Sequence, residues 1–139
     1  MPQKLLIHNV QLISQAAKSP GWILCEGSQI RAVDAGAPPQ IEDARILDGR
    51  GLILLPGFID IHVHGAAGYD TMDANPDGLR AMARFYAQHG VTAFLATTWT
   101  DSRARICAAL DAITQTRGRI PDGATLLGAH MEGPYLNPE

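Results

Sequence analysis

From Leu5 to Ile13 the chain mixes β-forming apolar residues with polar ones in alternation, the two-residue period of a strand with one buried face. A short apolar run, Trp22 to Glu26, follows Pro20-Gly21. Gly27-Ser28 marks a turn, and Gln29 to Asp34 alternates again. Short strands punctuated in this way predict a hairpin or meander. Ala35 to Gln40, with Gly36, Pro38 and Pro39, reads as a loop, and Arg45 to Asp48 as another extended segment before Gly49-Arg50-Gly51.

The pattern then changes. Leu52 to Leu55 is apolar and stops at Pro56-Gly57, and Phe58 to His64 is a second extended run. Asn75-Pro76-Asp77 opens a helix: Asn is a good N-cap, Pro suits the first helical position, and Asp complements the positive helix end. Leu79, Met82, Phe85 and Tyr86 recur at helical spacing, and His89-Gly90 closes the element. Val91 to Thr98 predicts a buried strand. Asp101 or Ser102 can cap a second helix with Ile106, Leu110 and Ile113 on one face, Gly118 to Gly123 is a loop, and Ala124 to Met131 is a third strand. Strand, helix, strand, helix, strand implies parallel pairing through crossover helices, an α/β fold. Roughly two and a half such units cannot close an eight-stranded barrel. The segment is either a small open sheet or the front of a barrel. Because Asn137-Pro138-Glu139 comes straight after a motif with no closing element, the expectation is a chain that continues in a longer protein.

Composition narrows the field. The chain has 139 residues, 46% hydrophobic and 18% charged, which is globular rather than disordered. The net charge is −3 with no basic stripe, so the footprint of nucleic-acid binding is missing, while small anions remain open. Cys25 and Cys107 stand far apart, which argues against both a disulfide framework and a cysteine zinc site. The N-terminal residues lack the unbroken apolar core of a signal peptide, and no run approaches the ~18 apolar residues of a membrane span. The expectation is a cytoplasmic protein that binds neither membrane nor nucleic acid.

The chemistry concentrates at two strand ends. In Pro56-Gly57-Phe58-Ile59-Asp60-Ile61-His62-Val63-His64-Gly65, alternation places Asp60, His62 and His64 on one face with Phe58. Ile59, Ile61 and Val63 fall on the other, toward the helices. Two imidazoles at adjacent same-face positions can converge on one ion. In parallel barrels chemistry sits at the C-terminal strand ends, where His62 and His64 fall. In His130-Met131-Glu132-Gly133-Pro134-Tyr135, the same spacing puts His130 and Glu132 together, with a carboxylate able to complete or bridge a metal site. Other candidates weigh less. His8 and His89 read as structural, Trp22 and Trp99 as packing residues, and Thr97 and Thr98 as pocket lining or caps of the next turn.

These phrases resemble a known family. Pro-Gly-Phe-Ile-Asp-x-His-x-His looks like the first barrel strand of the amidohydrolase superfamily. His130 to Pro138 looks like the third-strand motif of the N-acetylglucosamine-6-phosphate deacetylases, and Gly68 to Asp73 and Gly90-Val91-Thr92 look like that branch too. The resemblance implies two parts: residues 1–55 as part of a small β-sandwich, and 56–139 as the first three strands of an incomplete (β/α)8 TIM-type barrel. It implies hydrolysis of the acetamide of N-acetylglucosamine 6-phosphate. The metal ligands would be His62, His64 and Glu132, with Asp60 and His130 supporting them. The cofactor would be one or two divalent ions, zinc first, with iron or another metal as alternatives. The catalytic aspartate, two further histidine ligands and most phosphate-binding residues would lie beyond Glu139, so the 139-residue chain alone is expected to be inactive. A homodimer is expected for the full-length protein. The alternatives are an N-acetylgalactosamine-6-phosphate deacetylase or another amidohydrolase, and, from a different class, an inactive metal-binding or interaction fragment.

Overall fold

A computed structural model of the protein describes residues 3–13 and 18–137. The chain divides into two compact units, residues 1–56 and 57–139.

The first unit is one five-stranded sheet. Strands β1 (Lys4–Ile13), β2 (Lys18–Glu26) and β3 (Gln29–Ala35) pair antiparallel in sequence order, the meander that the alternation predicts. Strands β4 (Ala44–Asp48) and β5 (Ile53–Leu54) depart from it. Both lie parallel to β1 along its other edge, β4 against Lys4 to His8 and β5 against Gln11 and Leu12. Between those two stretches Asn9 takes a left-handed conformation (φ 54°), and its side-chain amide donates to Asp48 Oδ1 at 2.7 Å. The amides of Gly49 and Gly51 donate to the carbonyls of His8 and Asn9. The glycine turn read as punctuation is therefore stitched into the irregularity of β1. A backbone hydrogen bond from Arg50, then the Asn9 amide, hold the Asp48 carboxyl below its ordinary range. Leu6 and Val10 are the buried apolar residues of this sheet.

The second unit contains a parallel three-stranded sheet in the order β10-β9-β6, made of β6 (Phe58–Val63), β9 (Val91–Thr98) and β10 (Thr125–Met131). After β6 comes a small hairpin, β7 (Gly65–Ala66) with β8 (Tyr69–Asp70), then a 3-10 turn over Thr71–Asp73 closed by a reciprocal Asp70–Asp73 cap. Helix α1 (Pro76–Gln88) starts where the sequence predicts. The Asn75 side chain accepts from the Asp77 amide at 3.0 Å, and beyond His89 the chain turns on Gly90 (φ 83°). Helix α2 (Arg103–Thr116) is capped by Ser102, while Asp101 bonds Arg105 at 2.7 Å.

The core lies between these helices and the sheet. Leu79, Met82, Ala83 and Tyr86 of α1 and Ala112 and Ile113 of α2 pack with Phe94 and Ala96 of β9 and Leu126 of β10. Each fully buried Leu or Phe contributes about 1.5–3 kcal/mol of apolar transfer. The face predicted to pack on helices is only partly covered in β6: Val63 joins the core, but Ile59 and Ile61 are 61% and 62% exposed. Within this chain β6 lies at the end of the sheet order, and α1 packs against β7, β8 and β9.

Candidate metal centre

Three donor atoms converge at the C-terminal ends of β6 and β10. His62 Nε2 and His64 Nε2 are 3.3 Å apart. Glu132 Oε2 stands 3.2 Å from the first and 3.1 Å from the second. The two imidazoles meet edge to face, with centroids 5.2 Å apart and planes at 72°. A tetrahedral ion bound at about 2.0–2.1 Å keeps its donors about 3.3–3.4 Å from one another. The triangle is therefore the size of one face of such a site, and two imidazole nitrogens with one carboxylate oxygen suit a borderline divalent ion. Among the described residues this is the group of three histidine, cysteine or acidic side chains that could hold a metal.

The local backbone explains the convergence. Regular alternation alone would put the two histidines side by side, but β6 is irregular here. Asp60 pairs with Phe94 and Val63 with Ala96, so Ile61 and His62 together face the single residue Leu95. This is a β-bulge, which re-aims the side chains it carries. The Asp60 carboxylate stays outside the donor triangle and accepts from the His62 backbone amide at 3.1 Å. His130 is likewise outside it. Its Nδ1 is 2.7 Å from the carbonyl oxygen of Ile61, and its ring lies 4.7 Å from that of His62. Beyond the bulge the His64 carbonyl accepts from the Thr71 amide at 2.7 Å, which ties the histidine segment to the capped 3-10 turn. His64 Nδ1 is buried with no partner among the described residues.

The other candidates fall elsewhere. His89 Nδ1 donates to the Phe85 carbonyl at 2.9 Å, and its ring stacks on Phe85 at the end of α1. Cys25 and Cys107 are free thiols. Trp99, read as a packing residue, sits with its ring 5.7 Å from that of His64 and is 40% exposed, so it borders the donor triangle. The role of Thr97 escapes a reading by residue type. It is fully buried, and its hydroxyl oxygen accepts from the Val63 amide at 2.8 Å. Its one sequence signal is a hydroxyl at a strand end beside a His-x-His strand.

A family model for the amidohydrolase family matches residues 53–139. The chain belongs to the amidohydrolase family. This amidohydrolase chain is 52% identical over 83 residues to the N-acetylglucosamine-6-phosphate deacetylase of Vibrio furnissii, covering 60% of the chain and 21% of that protein. It is 34% identical over 143 residues to the Bacillus subtilis enzyme of the same name, covering 100% of the chain and 36% of that protein. Against the N-acetylgalactosamine-6-phosphate deacetylase of Escherichia coli O157:H7 it is 40% identical over 121 residues, covering 86% of the chain and 31% of that protein. The structure of a mutant Mycobacterium smegmatis N-acetyl-D-glucosamine-6-phosphate deacetylase, in complex with N-acetyl-D-glucosamine-6-phosphate, superposes with a TM-score of 0.77 at 27% identity, over 97% of the chain and 34% of that protein. The Thermotoga maritima deacetylase gives 0.71 at 31% identity, over 96% of the chain and 33% of that protein. The chain thus spans between about a fifth and a third of the length of these relatives. Its β-α-β-α-β unit is part of the barrel fold of those deacetylases. Among the described residues no helix is long and apolar enough to cross a membrane.

Proposed function

We propose that the protein hydrolyses the acetamide of N-acetylglucosamine 6-phosphate, giving acetate and glucosamine 6-phosphate, and that His62, His64 and Glu132 hold a divalent ion, zinc before others, for this reaction. The observation that carries the reading is the donor triangle of 3.1–3.3 Å, in a chain whose relatives are named as deacetylases of amino-sugar phosphates. A bound divalent ion supplies Lewis acidity, bringing the pKa of its water toward neutrality and polarising the amide carbonyl. The chain's own residues hold the site. The two imidazoles present their Nε2 lone pairs and Glu132 adds a negative charge beside them. Asp60 and His130 bond to the backbone that carries His62. The Asp60 Oδ1 and the His130 Nδ1 are taken up by the backbone, and the aspartate base and further histidine ligands that the resemblance implies are not among these residues, so the 139-residue chain by itself is proposed to be inactive.

The test is acetate release from N-acetylglucosamine 6-phosphate by the protein expressed from its complete reading frame. His62→Ala and Glu132→Ala should collapse turnover to the no-enzyme rate and lower metal content in step. A folded, metal-loaded protein that releases no acetate would refute the deacetylase reading. The galactosamine epimer belongs in the same assay, because a relative of that specificity aligns over 86% of the chain.

A further inference from the structure

The bulge in β6 leaves two consecutive residues, Ile61 and His62, between the pairs Asp60–Phe94 and Val63–Ala96, at the point where the histidines must be aimed. Three side chains from three strands bond the backbone of this stretch. Asp60 of β6 accepts from the His62 amide at 3.1 Å, Thr97 of β9 accepts from the Val63 amide at 2.8 Å, and Nδ1 of His130 of β10 meets the Ile61 carbonyl at 2.7 Å. A carbonyl oxygen only accepts, so the His130 Nδ1 carries the proton and donates it. β10 is not a neighbour of β6, so the His130 side chain reaches past β9 to make its bond.

We propose that Thr97 and His130 are positioning residues for the metal centre, which act by clamping the bulge so that His62 Nε2 and His64 Nε2 face Glu132 at donor spacing. The proposal rests on the reading of His62, His64 and Glu132 as metal ligands. Thr97 touches neither imidazole through a hydrogen bond and acts on the backbone between them. It is fully buried and lies in the central strand. The same strand patches the other irregularity in this pair of strands. Where Phe58 pairs with Val91 and Ile59 with Ala93, the extra residue is Thr92, and its hydroxyl donates to the Phe58 carbonyl at 3.2 Å. Threonine thus recurs at both breaks, but only the break at Thr97 lies among the metal-binding positions. The donor role of Thr92 at the strand's beginning makes it the internal control.

The test compares Co2+ binding, followed by its visible absorption bands, in the protein expressed from its complete reading frame and in variants. Thr97→Val keeps the shape and removes the acceptor. Thr97→Ser restores it. His130→Phe keeps a ring and removes the donor, and Thr92→Val breaks the distant patch. Circular dichroism confirms folding in each case. Loss of a group that orients ligands typically weakens metal affinity by about 10–100-fold. That loss, with altered band intensity, is expected for Thr97→Val and His130→Phe. Thr97→Ser and Thr92→Val should stay within about threefold, well below that effect. Should Thr97→Val fail to fold, His130→Phe alone decides. If Thr97→Val and His130→Phe bind within threefold of the parent while His62→Ala has lost binding, the positioning role is overturned and the metal centre stands. If the parent shows no saturable Co2+ binding, the metal reading falls and this proposal with it.

Discussion

Tyr86 offers a quantitative test of the packing described above. Its side chain is 6% exposed, its ring packs edge to face on Phe94 with centroids 5.0 Å apart, and its hydroxyl is buried with no hydrogen-bond partner among the described residues. Tyr86→Phe keeps the ring and its contacts and removes only the stranded polar group. A buried, unsatisfied hydroxyl costs about 1–3 kcal/mol. Part of that relief is offset by the small void left behind, so the expected gain is about 1 kcal/mol, or about 2–8 °C in the melting midpoint depending on the size of the cooperative unit. The comparison should extend to alkaline pH. Burial above all, then the charges of Asp60 and Asp70, push the Tyr86 hydroxyl up to about 12 from 10.0. The folded state therefore keeps its proton after the unfolded chain has lost it. The stability that this proton preference contributes is complete below pH 10 and is lost as the pH rises toward 12. Tyr86→Phe lacks that loss, so its advantage over the parent should widen above pH 10. Urea or thermal denaturation at pH 7 and at several values above 10 gives both numbers. A variant less stable than the parent by about 1 kcal/mol at neutral pH would mean that the hydroxyl has a partner, and an advantage that narrows above pH 10 would refute the burial argument.

Two further outcomes follow from the loops and caps. Gly133, at φ 87°, follows Glu132, and a Cβ there would collide with the Thr100 side chain; Gly133→Ala should displace Glu132 and weaken Co2+ binding out of proportion to any fall in melting temperature, and equal binding would show that Glu132 is placed independently of this exit. Asn75→Ala removes the acceptor for the Asp77 amide and should cost about 1 kcal/mol in urea denaturation, with no change in metal affinity.

What could be read from the sequence follows the range of the interactions involved. Helix α1 was legible at both ends because Asn75, Pro76 and Gly90 act within a turn of their own positions. The two strands that bring His62, His64 and Glu132 together were legible because spacing along a strand already fixes which side chains share a face. Pairing between distant segments was not. Nothing in Arg45 to Asp48 says that it crosses to the far edge of β1 and runs parallel to it. The bulge was hidden for a related reason. Ile59 to His64 alternates without fault, and the extra residue exists only relative to β9, so the bonds of Thr97 and His130 to the β6 backbone could not be foreseen from residue type. Exposure of Ile59 and Ile61 was missed because alternation names a face without saying what covers it.

Thr97 and His130 are also direct partners across the β9–β10 ladder, and that ladder reaches them only after its own irregularity, between Leu126 and Gly128. A strand that zipped up without this extra residue would arrive one step out of phase, with its side chains turned to the opposite face. His130 would then miss Ile61, and Glu132 would miss both imidazoles. An ion held there as proposed would bind the native register alone and add its binding free energy to the burial that already disfavours a slipped strand, so the donor triangle would serve as an error check on the sheet.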